Sequence, residues 1–263
     1  MRLFIISDLH REILRPEAKP PYWALPATPA WPVDGVVLAG DIDRGTAGVT
    51  WAGQEAGRLG RPVLYVPGNH EYYRQDHDAL RVALRAEAAR WPDLHLLDND
   101  GVVIQGVRFL GTTLWTDYRV WPQDVRRNQE AARQGLNDHH LIARGGRLFT
   151  PQDALALHET ARRFLETELA RPFAGPTVVI THHGPSRLCR HPDYSDSPLS
   201  AAFYSDLSAL IRAYASALWV FGHTHAPLDT QIGATRLYSN PVGYPSETLP
   251  YPPGFDARGI VTV

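Results

Sequence analysis

Five short polar clusters in this chain carry side chains able to bind metal ions, and each directly follows an apolar run. Ser7-Asp8-Leu9-His10 follows Leu3–Ile6, Gly40-Asp41-Ile42-Asp43 follows Val36–Ala39, and Pro67-Gly68-Asn69-His70-Glu71 follows Val63–Val66. His182-His183-Gly184-Pro185 follows Thr177–Thr181, and Gly222-His223-Thr224-His225 follows Leu218–Phe221. Imidazole and carboxylate donors without thiolate suit divalent Mn, Fe, Co, Ni or Zn. The pairs Asp8/His10 and His223/His225 skip one residue, a spacing that points both side chains the same way at a strand end. Asp41 offers two oxygens and is the natural candidate to bridge two ions. Taken singly, an Asp-x-His is a polar turn and a Gly-Asp a turn or helix cap. Five in order, each at the end of an apolar run, describe a site.

The apolar runs read as buried strands, apolar on both faces. Between them Thr46–Leu59, Asp76–Arg90, Pro151–Ala170 and Leu199–Tyr214 carry apolar residues at helical spacing, with Thr, Asp or Pro near their starts. Such alternation predicts a mostly parallel α/β sheet, whose strand carboxyl ends gather ligands. Gly101–Gln105 with Val107–Gly111, and Leu228–Ile232 with Arg236–Ser239, read as hairpins added to it or forming a second sheet. Pro16–Pro32, with six prolines, and the Arg-, Asn-, Gln- and His-rich Trp115–Thr150 fit no regular element. The expected organisation is one domain over 1–263, with capping loops at 16–32, 115–150 and 184–200.

Composition narrows the field. With 44% hydrophobic and 21% charged residues the chain can bury a full core. A net charge of -2 gives no basic footprint for nonspecific nucleic-acid binding. Cys189 is the sole cysteine, which excludes an intrachain disulfide. Met1–Ser7 is too short for a signal segment, and no run reaches the roughly 18 apolar residues of a membrane span, so a soluble cytoplasmic protein is expected.

In this order, Asp-x-His, Gly-Asp, Gly-Asn-His-Glu, a strand-terminal His and Gly-His-x-His resemble the motifs of the calcineurin-like metallophosphoesterases, and they run from Asp8 to His225. The resemblance implies a four-layer α/β/β/α sandwich with two central mixed sheets and a dinuclear, metal-dependent hydrolase of phosphate esters. It implies one ion on Asp8, His10, Asp41 and His225, a second on Asp41, Asn69, His182 and His223, and His70 beside the leaving group. Manganese is favoured among the candidate metals. Two ions roughly 3.5–4 Å apart can clamp a phosphoryl group and supply an activated water at neutral pH.

Three points stay open in the sequence. The protein serine/threonine phosphatase branch places two residues between Gly-Asp and Asp-Arg-Gly, whereas Gly40-Asp41-Ile42-Asp43-Arg44-Gly45 has one fewer, so Asp43 can orient His70 or simply pair within the turn. The strand-end ligand is His182 or His183, with His182 preferred because it comes first. His139 and His140 read as surface histidines, Asn240-Pro241 as a turn, and Tyr72, Tyr73 and Trp115 as core aromatics or stacking partners for a substrate ring. The favoured substrate is a small phosphodiester or phosphomonoester. A nuclease needs a long basic groove, for which Arg126, Arg127, Arg133, Arg144 and Arg147 are candidates. A scaffold with a degraded metal site, like the retromer subunit, would have lost ligands that are all present here.

Overall fold

The computed structural model describes residues 1–13, 25, 32–244 and 254–263. In chain order the elements are β1 (Arg2–Ile6), β2 (Gly35–Leu38), α1 (Ala47–Leu59), β3 (Val63–Tyr65), α2 (His77–Ala88), β4 (Leu94–Leu96), β5 (Asp100–Ile104) and β6 (Val107–Thr112). There follow α3 (Val125–Gly135), α4 (Asp138–Leu141), β7 (Ala143–Arg144), β8 (Arg147–Leu148), α5 (Pro151–Ala170), β9 (Thr177–Thr181), α6 (Ser208–Tyr214), β10 (Leu218–Val220), β11 (Leu228–Ile232), β12 (Thr235–Ser239) and β13 (Ile260–Thr262).

One sheet has the order β13-β1-β2-β3-β4 and the other β11-β12-β10-β9-β6-β5. Both are mixed: β1, β2, β3 and β4 run parallel with β13 antiparallel, and β6, β9, β10 and β12 run parallel with β5 and β11 antiparallel at the edges. Strand periodicity then sorts the core into three layers. Leu3, Ile5, Val37, Leu64, Phe109, Val178, Ile180 and Val220 point between the sheets. Phe4, Val36, Leu38 and Val63 point outward to Val49 and Ala52 of α1 and Leu80 and Leu84 of α2. Leu110, Val179, Trp219 and Leu237 meet Ala161 and Leu165 of α5 and Ile211 of α6. The result is the expected α/β/β/α sandwich, and it explains why these strands are apolar on both faces.

Helix starts follow their caps. Asp76 accepts hydrogen bonds from the backbone of Asp78 and Ala79, and Thr150 with Asp153 forms a reciprocal capping box in front of Pro151. The expected helix Leu199–Tyr214 is different: only its second half forms. A short 3-10 turn spans Pro198–Ala202, after which Phe203 O accepts the Gly184 N–H, Ser205 N–H donates to Gly184 O and Leu207 N–H donates to Pro185 O, so this stretch docks on the loop after β9 before α6 begins. Periodicity alone could not register that competition. The stretch 115–150 contains α3, α4 and the β7–β8 hairpin. The proline-rich 16–32 lies outside the described residues apart from Leu25 and Pro32. Among the described residues no helix is long and apolar enough to cross a membrane.

Candidate metal centre

The carboxyl ends of β1, β2, β3, β9 and β10 converge, and the polar clusters that follow them form one buried group of donors. Asp8, His10 and His225 make one set whose ligand atoms lie within 4.8 Å of one another, and Asp41, His182 and His223 make another. Asp41 touches both. Its Oδ1 is 3.3 Å from His182 Nε2, and its Oδ2 is 3.9 Å from His10 Nε2. Asn69 joins the second set, with Oδ1 3.0 Å from His182 Nε2.

The one-residue skip works, but through a different backbone from a continuing strand. β1 ends at Ile6, and Asp8 and His10 take left-handed φ of 56° and 47°; His223 and His225 do the same at 67° and 52°, and Asp41 at 56°. Such conformations cost of order 1–3 kcal/mol each for residues with a Cβ and gather at functional sites. The loops are pinned by main-chain bonds, among them Asp8 N–H to Gly40 O and His10 N–H to Asp41 O, both at 3.0 Å. Gly40, with φ of 89°, and Gly68 have no alternative: a Cβ on either would run into His182 or the Asp41 carboxylate.

Electrostatics match a divalent cation. Burial alone would deprotonate His182, yet Asp41 and Asp8 hold its imidazole up at about 9. Burial opposes ionisation of Asp41, but the imidazoles of His182 and His70 keep its carboxyl well below the ordinary range. His10 Nε2 and His225 Nε2 face each other at 2.9 Å, a contact between two nitrogens that both want the same positive partner. His223 Nε2 is buried without a hydrogen-bond partner. The orphaned Nε2 of His223 in the set with Asp41, with Cys189 the sole thiol and absent from both sets, fits a borderline divalent ion.

One expectation is corrected and two open points gain geometry. Asp43 does not partner His70: its Oδ2 pairs with Arg11 Nε at 3.4 Å, and its Oδ1 takes the Arg44 backbone N–H. His139 is buried rather than superficial, with Nδ1 on Phe149 O, because α4 tucks beneath the hairpin; His140 is exposed. His182 points Nδ1 at Ala39 O and Nε2 at Asp41 and Asn69, while His183 points Nδ1 at Thr113 O, 3.2 Å away, next to the Trp115 ring. Burial, then neighbouring His182, push His183 down to about 3. Tyr72, Tyr73 and Trp115 are buried, and Asn240 braces β1 by donating to Ile5 O.

Residues beyond the proposed ligands complete the site. Glu71 accepts from the backbone N–H groups of Asp41, Ile42 and Gly68 and from Tyr65 Oη, clamping the loops after β2 and β3; burial and Asp41 raise its carboxyl to about 7. Asp138 accepts from Asn69 Nδ2 at 2.8 Å and Tyr73 Oη at 2.9 Å. Glu12 Oε1 lies 2.7 Å from His70 Nδ1, and Tyr244 Oη lies 3.0 Å from His70 Nε2. Glu12 had a signal in the sequence, since it continues the alternation Asp8, His10; Asp138, which opens α4, and Tyr244 are distant in the chain and had none.

Relatives agree with this architecture. The chain is 26% identical over 277 aligned positions to the acyl-carrier-protein phosphodiesterase PptH of Mycobacterium tuberculosis, covering 93% of this chain and 78% of that protein. It is 26% identical over 201 positions to an uncharacterised protein of Acanthamoeba polyphaga mimivirus, covering 70% of this chain and 69% of the relative. The crystal structure of the mycobacterial phosphopantetheinyl hydrolase PptH superposes with a TM-score of 0.69 at 22% identity, over 93% of this chain and 90% of that one. Calcineurin-like phosphoesterases as a family match residues 1–227, and this chain therefore belongs to that family of metal-dependent phosphoester hydrolases.

Proposed function

We propose that Asp8, His10, Asp41 and His225 hold one divalent ion and Asp41, Asn69, His182 and His223 a second, with manganese the first candidate, and that the chain cleaves a phosphodiester of the phosphopantetheine type with His70 serving the leaving group. The carrying observation is Asp41, whose two oxygens reach separate nitrogen clusters, 3.3 Å from His182 and 3.9 Å from His10. Ions held there would clamp the phosphoryl group and lower the pKa of water. His182 is preferred to His183 because only its Nε2 faces Asp41 and Asn69.

The protein's own groups handle the departing oxygen. His70 N–H donates to Asp41 Oδ1 at 2.9 Å, which ties the ring's backbone to the proposed bridging ligand. Burial works against protonation of His70, but Asp41 and Glu12 outweigh it and raise the imidazole above its ordinary value. A protonated ring at that place can give its proton to an alkoxide, which leaves poorly without one. The substrate class rests on the relative: PptH is named for a phosphodiester on acyl carrier protein, and the likeness runs over 93% of this chain.

We take 1–263 as one domain in which 115–150 and 184–200 wall a confined pocket. Asp138 and Trp115 come from the first segment, and Thr116 Oγ1 bonds Ala201 O beside the second. Against the nuclease alternative, Arg144 and Arg147 are paired with Asp153, and Arg133 with Glu130, which lowers the net positive charge of that stretch. The test is turnover of the manganese-loaded protein on holo-acyl carrier protein, bis(p-nitrophenyl) phosphate, p-nitrophenyl phosphate and long single-stranded DNA. Release of phosphopantetheine and cleavage of the diester are expected. Comparable efficiency on long DNA, or activity on the monoester alone, overturns the assignment.

A further inference from the structure

His70 needs a fixed ring to serve a leaving group, and the residue that fixes it is not the one at the Asp43 position. Asp43 is occupied by Arg11. Glu12 instead lies with one oxygen between two imidazoles, 2.7 Å from His70 Nδ1 and 3.4 Å from His10 Nδ1. The side chains of Glu12, His70 and His10 are 5%, 8% and 0% exposed, so water cannot replace this contact cheaply. The short 3-10 turn at Arg11–Ile13 brings Glu12 back over the site, held by Arg11 N–H on Ile42 O and Ile13 N–H on His10 O.

We propose that Glu12 is the positioning carboxylate of His70, holding the Nδ1–H so that Nε2 is presented to the leaving oxygen. An ionised carboxylate only accepts, so each Nδ1 facing Glu12 must carry the hydrogen. That leaves Nε2 of His70 directed at the Tyr244 hydroxyl, 3.0 Å away, and towards Asp41 Oδ2 at 3.9 Å. The Tyr244 oxygen marks where a polar partner of Nε2 sits, which is the place a departing alkoxide oxygen would take. The same bond turns His10 Nε2 towards Asp41 and His225, so one carboxylate orders both a proposed ligand and the proposed acid. Asp43 is then free of any catalytic duty, which is how the turn can be one residue short.

The inference rests on the proposed role of His70 as acid, and two readouts separate them. The first is proton NMR of the metal-free, 15N-histidine-labelled protein, which reports the hydrogen-bonded Nδ1–H of His70, identified by its absence in His70→Ala. It is expected in wild type and in Asp43→Asn, and lost in Glu12→Ala. The second is turnover of the manganese-loaded protein on an alkyl and a p-nitrophenyl phosphodiester. Glu12→Ala should lower kcat on the alkyl ester about 10–100-fold with KM little changed, and less on the p-nitrophenyl ester. Glu12→Gln keeps an acceptor and should recover much of the loss, which also covers the case in which Glu12→Ala fails to fold. Retention of the Nδ1–H signal in Glu12→Ala, or its loss in Asp43→Asn, overturns the proposal. Loss of the signal in Glu12→Ala with alkyl-ester turnover intact upholds Glu12 as the residue holding the ring and removes His70 from proton transfer.

Discussion

The histidines of the inner set, His182 and His223, sit against main chain and aromatic rings, whereas those of the outer set, His10 and His225, sit against other ionisable side chains. In the inner set His182 is fixed by Ala39 O, Asn69 by Asp138, and His223 lies between the rings of His183 and Phe203. In the outer set His10 is shared with Glu12 and packs on His70 and Tyr244, and His225 packs on Tyr244. A backbone carbonyl neither titrates nor rotates, so His182 is held by a group of fixed charge and place. The outer set is built from groups that exchange protons, and it adjoins the residue proposed to deliver one. The lesson is a division of labour across one carboxylate, Asp41.

Removing the bridge should erase the difference. Asp41→Ala is expected to reduce turnover to background and to lower the content of both ions, since the residue reaches both sets and also holds the His70 backbone. Metal analysis beside a turnover assay checks this; one ion retained at full occupancy with activity would break the proposed sharing. His70→Ala sharpens the comparison from the outer side. Metal content should stay and turnover on an alkyl diester fall about 10²–10⁴-fold, with a smaller loss for p-nitrophenol, which departs without much help. Loss of metal in that variant would make His70 a ligand.

The inner and outer sets were equally legible in the sequence. Both could be found, because every proposed ligand follows an apolar run, and that pattern survives any detail of the backbone. The layer architecture was equally plain, since strands apolar on both faces must be covered twice. What failed was whatever depended on local geometry or on residues distant in the chain. The skip in Asp8-Leu9-His10 has the spacing of strand alternation but is produced by left-handed φ at both residues. The helix over Leu199–Tyr214 lost its first half to main-chain bonds with Gly184 and Pro185. Asp138 and Tyr244 reach the site across sequence separations of 69 and 174 residues from the partners they bond, and no periodicity encodes that.

Asp138 offers a smaller perturbation confined to the inner set. An amide ligand must present oxygen rather than nitrogen, and Asp138 secures this by accepting from Asn69 Nδ2. Asp138→Ala should weaken the binding of the inner ion about 10–100-fold while leaving the outer ion nearly unchanged. Competitive chelator titration of the two ions is the measurement. Equal weakening of both would mean that the two sets are not independently supported.

The smallest effect is expected at His183, and it decides which of two adjacent histidines belongs to the inner set. Its ring is 4.2 Å from that of His223, so proximity alone does not exclude it as a ligand. Direction favours His182, whose Nε2 meets Asp41 and Asn69, whereas the His183 ring packs by Trp115 with Nδ1 on Thr113 O. Held down at about 3 by burial and by His182, His183 stays neutral wherever the protein is folded at ordinary pH. In that form it is a wall and a hydrogen-bond donor to Thr113. His183→Gln keeps a donor within a smaller volume, and a buried substitution of this kind costs about 1–3 kcal/mol of stability. The variant should therefore melt a few degrees lower, retain both ions and lose no more than about tenfold in kcat. His182→Gln should lose the inner ion and nearly all turnover. Should the two variants exchange phenotypes, the inner set would have to be redrawn around His183.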